Sequence, residues 1–234
     1  MQRVSGVFLA YALVIHLWTV NVVNQGELNW QTISSRLQDG NFWFIYYILF
    51  IPAVIYHAFN GLWSIVLDYN PSPAKQRLWC GCSGLAEWFN HLWLHRFKTF
   101  VWSNTVSLVR HFQRLFLSQK SVGNVSWLLH RLSGVALAIY LVPHFFSIHS
   151  SQQGAQFFDQ EMNVYISPFF KFAEFMIVKT VAFHMFNGLR IIALDFFNLA
   201  GHQKLLFGLA MSGCAAVLIS ASLLFVPQIL STTP

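Results

Sequence analysis

Charge is scarce in this sequence: Asp, Glu, Lys and Arg together make up 9% of its 234 residues, where a soluble domain carries about a quarter. So few solvated side chains cannot cover a water-soluble domain of this size. Cysteine is also scarce. Cys80, Cys82 and Cys214 cannot build a disulfide framework, one of them lies inside an apolar run, and they leave the redox compartment undetermined. The chain has only eight acidic residues against 14 basic ones, a net charge of +6. Polar, low-complexity stretches of the kind that keep a chain disordered are missing, because Phe alone supplies 24 residues. No small-residue cleavage pattern follows the first apolar run, so Arg3 and that run read as a retained anchor rather than a removable leader.

What is present is apolar, at 56% of residues with a mean hydropathy of +0.51. Five stretches, roughly 4–23, 42–67, 127–149, 166–195 and 204–226, are long enough to cross a hydrocarbon layer about 30 Å thick. They are bounded by Asn24-Gln25-Gly26, Gly40-Asn41, Pro71 with Pro73, and Ser167-Pro168. The expected fold class is all-α integral membrane with five transmembrane helices. Residues 69–126 are too interrupted by Arg96, Lys98, Arg110 and Arg114 to span, and read as a basic, Trp-rich interfacial segment. The chain then divides into 1–68, 69–126, 127–197 and 198–234.

Positive charge sets the orientation, since cytoplasmic loops carry the excess of Lys and Arg. Arg3, Lys75, Arg77, Arg96, Lys98, Arg110, Arg114, Lys120, Arg131, Arg190 and Lys204 fall on one side, and Arg36 and Lys171 on the other. The N-terminus is expected in the cytoplasm and the C-terminus outside. The net charge is explained by topology and anionic lipid, with no need for nucleic acid.

The sequence repeats itself. Gln2-Arg3-Val4-Ser5-Gly6-Val7 recurs as His130-Arg131-Leu132-Ser133-Gly134-Val135, and His16 and His144 each follow the arginine by 13 residues. Tyr56-His57-Ala58-Phe59-Asn60-Gly61-Leu62 recurs as Phe183-His184-Met185-Phe186-Asn187-Gly188-Leu189, and each histidine precedes an aspartate, Asp68 or Asp195, by 11 residues. Two parallel two-helix units follow, with a fifth helix appended.

Four histidines thus lie deep in the membrane, one per helix. His16 and His57 are roughly 20 and 16 Å from the cytoplasmic interface at about 1.5 Å per residue. A histidine in hydrocarbon marks a functional site by default, although a single one serves equally well as an interhelical hydrogen-bonding group. Four in repeated contexts favour ligation. Neutral imidazole suits iron, and facing helices can hold a haem between them; no Cys, Asp or Glu joins these positions to suggest zinc. Gly61 and Gly188 lie one turn beyond His57 and His184, where they serve either a flat macrocycle or close helix packing. Arg131 and Arg190 are matched equally by haem propionates and by a snorkelling charge.

These motifs resemble the dihaem cytochrome b membrane anchors of succinate:quinone oxidoreductases, that is, succinate dehydrogenase and fumarate reductase. The resemblance covers all five spans; the long basic connection departs from it. It implies two haems b, His16 with His144 for the distal one and His57 with His184 for the proximal one. The difference in depth alone leaves the pairing of His16 with His57 and of His144 with His184 open. It further implies a flavoprotein subunit carrying FAD, an iron–sulfur subunit, quinone as electron donor or acceptor, a bacterial cytoplasmic membrane, and room for a higher oligomer of the complex. Dicarboxylate chemistry would belong to the partners.

For the quinone, two regions stand open. Glu174, five residues from Lys179, and the outer-loop acids Glu27, Asp39, Asp159 and Glu161 match the distal end; His130, Arg131 and Ser133 match the end used in single-haem relatives. Cys80 and Cys82 with His91 and His95 form a weak zinc pattern of nonstandard spacing, and His111, His149 and His202 have no nameable partner. Two rival functions remain: a cytochrome b subunit of another quinone-linked dehydrogenase or hydrogenase, and a small transporter built on repeats.

Overall fold

The structure is a computed structural model that describes residues 2–23, 29–38, 41–69 and 122–231. Glu27, Asp39, the Cys80/Cys82/His91/His95 pattern, His111 and nearly all of the expected interfacial segment lie outside the described residues. The chain divides into two compact units, Met1–Gly61 with Ser126–Pro234, and Leu62–Val125. Everything below concerns the first.

Among the described residues seven α-helices follow in order: α1 (Gln2–Trp18), α2 (Trp30–Gln38), α3 (Asn41–Tyr69), α4 (Val122–His149), α5 (Ala155–Val164), α6 (Pro168–Phe196) and α7 (Gln203–Ser231). Among the described residues there is no strand. Five segments among the described residues are long and apolar enough to cross a membrane: Gln2–Val23, Asn41–Asp68, Gly123–Gln153, Pro168–Phe196 and Ala200–Leu230. They match the five expected spans, with α4 starting at Val122 rather than near 127. The short helices α2 and α5 in the connections were not expected.

Local chemistry explains the boundaries. Pro168 occupies the first position of α6 after an extended Ser167, where the missing N–H costs nothing. Pro52, Pro143 and Pro227 sit inside α3, α4 and α7, which membrane helices tolerate when the freed backbone groups find other partners. α1 relaxes into one π-helical turn at Thr19–Val23. There Thr19 Oγ1 donates to the Ile15 carbonyl at 2.7 Å and Asn21 Nδ2 to that of Leu17 at 3.0 Å. Gly154, at φ +98°, makes the turn into α5 that a side chain would strain.

α6 and α7 form the tightest helix pair. Val178 of α6 is buried against Ala221 and Phe225 of α7, with Phe175, Val217 and Ile229 around them. Buried small residues Ala210, Cys214 and Ala221 line one face of α7, the pattern that lets membrane helices approach closely. At Gly213 the approach is closest, since a Cβ would stand 2.7 Å from Phe186 Cε1.

Beyond His16 on α1 and His144 on α4 the chain forms the short helices α2 and α5, which bond to each other as a cap. Trp30 at the start of α2 donates its backbone N–H to Asp159 Oδ1 of α5 at 2.7 Å, and its indole Nε1 to the Ser151 carbonyl at 3.3 Å. Asn29 and Thr32 bond each other reciprocally across the first turn of α2. Phe158 is fully buried beneath, and Tyr165 Oη lies 2.6 Å from Ser147 Oγ.

Gly213→Leu should lower the melting temperature of the detergent-solubilised protein by overpacking, worth about 1–3 kcal/mol. Gly208→Leu on the same helix, where nothing lies within 4 Å, should leave it unchanged.

Candidate functional site

Each repeat builds the same polar junction between its first and second helix. In the first, Ser5 Oγ of α1 lies 3.0 Å from His57 Nδ1 of α3 and donates to the Gln2 carbonyl at 3.0 Å. In the second, Ser133 Oγ of α4 lies 3.0 Å from His184 Nδ1 of α6 and donates to the His130 carbonyl at 2.9 Å. Glycines make the approach possible: a Cβ at Gly134 would stand 3.0 Å from His184 Cε1, and one at Gly6 3.4 Å from His57 Cε1. Gly61 and Gly188 play the reciprocal part, since a Cβ there would stand 3.3 Å from the Gln2 amide and 3.3 Å from His130 Cε1. Of the two uses expected for them, these contacts are those of close packing between helices.

Contacts between the repeats then set histidine against histidine. The rings of His57 and His184 lie 6.4 Å apart, centroid to centroid, at an interplanar angle of 90°. Those of His16 and His144 lie 6.1 Å apart at 87°. Each pair takes one ring from each repeat. Arg3 of α1 and Asp195 of α6 also join the repeats, in an ion pair of 2.7 Å. The four rings therefore form two tiers: an inner one beside the starts of α1 and α4, and an outer one nearer the cap.

The tiers differ in their surroundings. In the inner tier the repeats have diverged where Gln2 stands for His130. Gln2 donates to the His57 carbonyl at 3.2 Å and accepts from Asn60 Nδ2 at 2.7 Å, whereas the His130 ring stacks on His184 at 4.0 Å and 8°. Asn187 is fully buried and donates to the Ser126 carbonyl at 3.1 Å. Arg190, 6% exposed, donates to Ser126 Oγ at 2.9 Å and Asn187 Oδ1 at 3.1 Å, and its Nε is buried without a partner. It does not snorkel. In the outer tier His16 packs on Phe50, and Tyr140 Oη reaches His144 Nδ1 at 3.3 Å from one turn away. Tyr46 Oη donates to the Ala12 carbonyl at 2.7 Å beside them.

The remaining expected residues fall as follows. Glu174 is paired with Lys171 at 3.2 Å on α6, Lys179 is exposed on the same helix, and Asp159 serves as the cap of α2. Arg131 lies over the Trp127 ring at 3.8 Å. Sequence reasoning missed Ser5, Gln2, Asn60 and Tyr140. The i, i+4 spacing of Tyr140 and His144 was a readable signal for the last, and Ser5 sits inside the repeated motif itself. Among the described residues no group of three or more His, Cys, Asp and Glu converges, so protein ligands alone do not complete a tetrahedral metal site. A pair of imidazoles across a gap instead suits a metal whose other positions are filled by a macrocycle.

The fold defines a polytopic membrane subunit of two parallel two-helix repeats with paired histidines between them. The sequence profile of the succinate dehydrogenase/fumarate reductase transmembrane subunits matches residues 1–86 and 106–225, and the chain belongs to that family. It is 30% identical over 76 residues to succinate dehydrogenase 2 membrane subunit SdhC of Mycobacterium tuberculosis, covering 32% of this chain and 56% of that one. It is likewise 30% identical over 76 residues to the succinate dehydrogenase hydrophobic membrane anchor subunit of Archaeoglobus fulgidus, covering 32% and 64%. The matched stretch thus spans less than two thirds of either relative. No solved structure matches.

Gly134→Ala and Gly6→Ala gain the same helix propensity, so their difference isolates the contact with the histidine. Gly134→Ala should be less stable than Gly6→Ala by about 1 kcal/mol, read as melting temperatures of the two purified variants.

Proposed function

We propose that this chain is the membrane anchor of a succinate:quinone oxidoreductase and holds two haems b, one on each histidine pair, along which electrons pass between an iron–sulfur subunit and membrane quinone. The observation that carries this reading is the pairing itself. Two metal–nitrogen bonds of about 2 Å laid end to end put imidazole centroids about 6 Å apart, and the observed separations are 6.4 and 6.1 Å. The inner pair, His57 with His184, would hold the proximal haem, and His16 with His144 the distal one. Bound haem supplies one-electron redox chemistry that no side chain of the bundle offers.

The chain's own residues do the rest. Ser5 and Ser133 hold the inner ligands, and the apolar helices exclude water. The buried Arg190 guanidinium is a ready cation for an anionic group at the inner end. For the quinone, the inner end is the better equipped of the two regions. His130 Nδ1 is buried without a hydrogen-bond partner and sits in the ring stacked on His184, so a proton can be exchanged at that atom beside the ligand pair. Arg131 and Ser133 flank it in sequence. Glu174, with its charge already answered by Lys171, is less suited. The partners are a flavoprotein with FAD and an iron–sulfur subunit, seated on the cytoplasmic face where the positive charge concentrates. The membrane is the bacterial cytoplasmic one, with the N-terminus inside and the C-terminus outside.

A pyridine haemochrome assay of the purified complex should give about two haems b per copy of this chain. Replacing His57 or His184 should remove one, and replacing His16 or His144 the other. A wild-type complex without haem would sink the reading in favour of a transporter.

A further inference from the structure

Each inner-tier serine has one hydroxyl proton and a carbonyl oxygen in reach that can only accept it. Ser5 Oγ donates to the Gln2 carbonyl at 3.0 Å, and Ser133 Oγ to the His130 carbonyl at 2.9 Å. Toward the histidine, each oxygen therefore has only lone pairs to offer. With the proton on that carbonyl, the oxygen 3.0 Å from Nδ1 in both repeats accepts, and Nδ1 carries the proton. Two independent contacts agree. The His130 carbonyl, which can only accept, lies 3.2 Å from His184 Nδ1. The Gln2 amide nitrogen, which can only donate, lies 3.4 Å from His57 Nε2. In both rings these contacts point to the Nδ1–H tautomer, with the lone pair on Nε2.

We propose that Ser5 and Ser133 are positioning residues that fix the tautomer and orientation of His57 and His184, so that Nε2 is the metal-binding nitrogen, and that they raise the basicity of these two ligands. The inference rests on the haem reading above. An acceptor at the far nitrogen of a ligating imidazole pushes electron density toward the metal, which favours the ferric state and lowers the reduction potential. Among the described residues the corresponding contact in the outer tier is longer, Tyr140 Oη at 3.3 Å from His144 Nδ1. The two repeats also differ in how far they depend on the serine. His184 keeps the His130 carbonyl as a second acceptor, whereas Ser5 is the acceptor the structure gives His57 Nδ1.

The test is redox titration of the haems in the whole purified complex, with low-spin EPR spectra and haem content measured on the same samples. Ser5→Ala should raise the midpoint potential of the inner haem and alter its EPR signature while leaving the outer haem unmoved. Ser133→Ala should do the same by a smaller shift, and Ser5→Thr, which keeps the hydroxyl, should return the wild-type values. Loss of the inner haem in Ser5→Ala with retention in Ser5→Thr also supports the assignment. An unchanged inner potential and EPR signature in Ser5→Ala at full haem content overturns it, as does haem loss in both variants. Failure of the haem reading is seen separately, as absence of haem from the wild type.

Discussion

An imidazole N–H buried in hydrocarbon without an acceptor costs several kcal/mol, and the inner half of this bundle is organised around meeting that demand. The acceptor is a serine one helix away, and reaching it requires two helix backbones to come closer than ordinary side chains allow. Gly134 supplies the space at the second junction, Gly6 leaves an ordinary contact at the first, and Gly61 and Gly188 admit the Gln2 and His130 side chains in return. The hydrogen bond, the glycines and the crossing of the helices are thus one constraint. It is met twice, because the chain contains the unit twice.

Within each repeat these bonds position a ring; between repeats the rings meet. The division separates stability from function. The Ser–His junctions belong to one helix pair each and form when that pair packs. The His57–His184 and His16–His144 pairs, and the Arg3–Asp195 ion pair, exist only when the two repeats are placed side by side. Divergence has been permitted at the first junction residue, Gln2 against His130. The glutamine is fully engaged by its neighbours, and the histidine keeps a buried nitrogen free of partners.

Much of this was legible in the sequence. The five spans are long apolar runs, the repeat recurs with few substitutions, and the four histidines stand at repeated offsets from arginine and aspartate; all are local signals. Which histidines face each other was not legible, because a difference of about 4 Å in depth cannot select a partner helix. Ser133 was read for the quinone and Ser5 for nothing, since a serine's role depends on the face against which its helix crosses. Asp159 was grouped with the outer-loop acids considered for the quinone because its partner, the start of α2, lies 129 residues earlier in the chain.

That last bond bears on the order of assembly. The start of α2 obtains its carboxylate acceptor only from α5, in the connection that follows α4. During synthesis, the start of α2 must wait for that acceptor until the connection after α4 has been made. The two halves therefore close like a clasp, the connection made later completing the one made earlier.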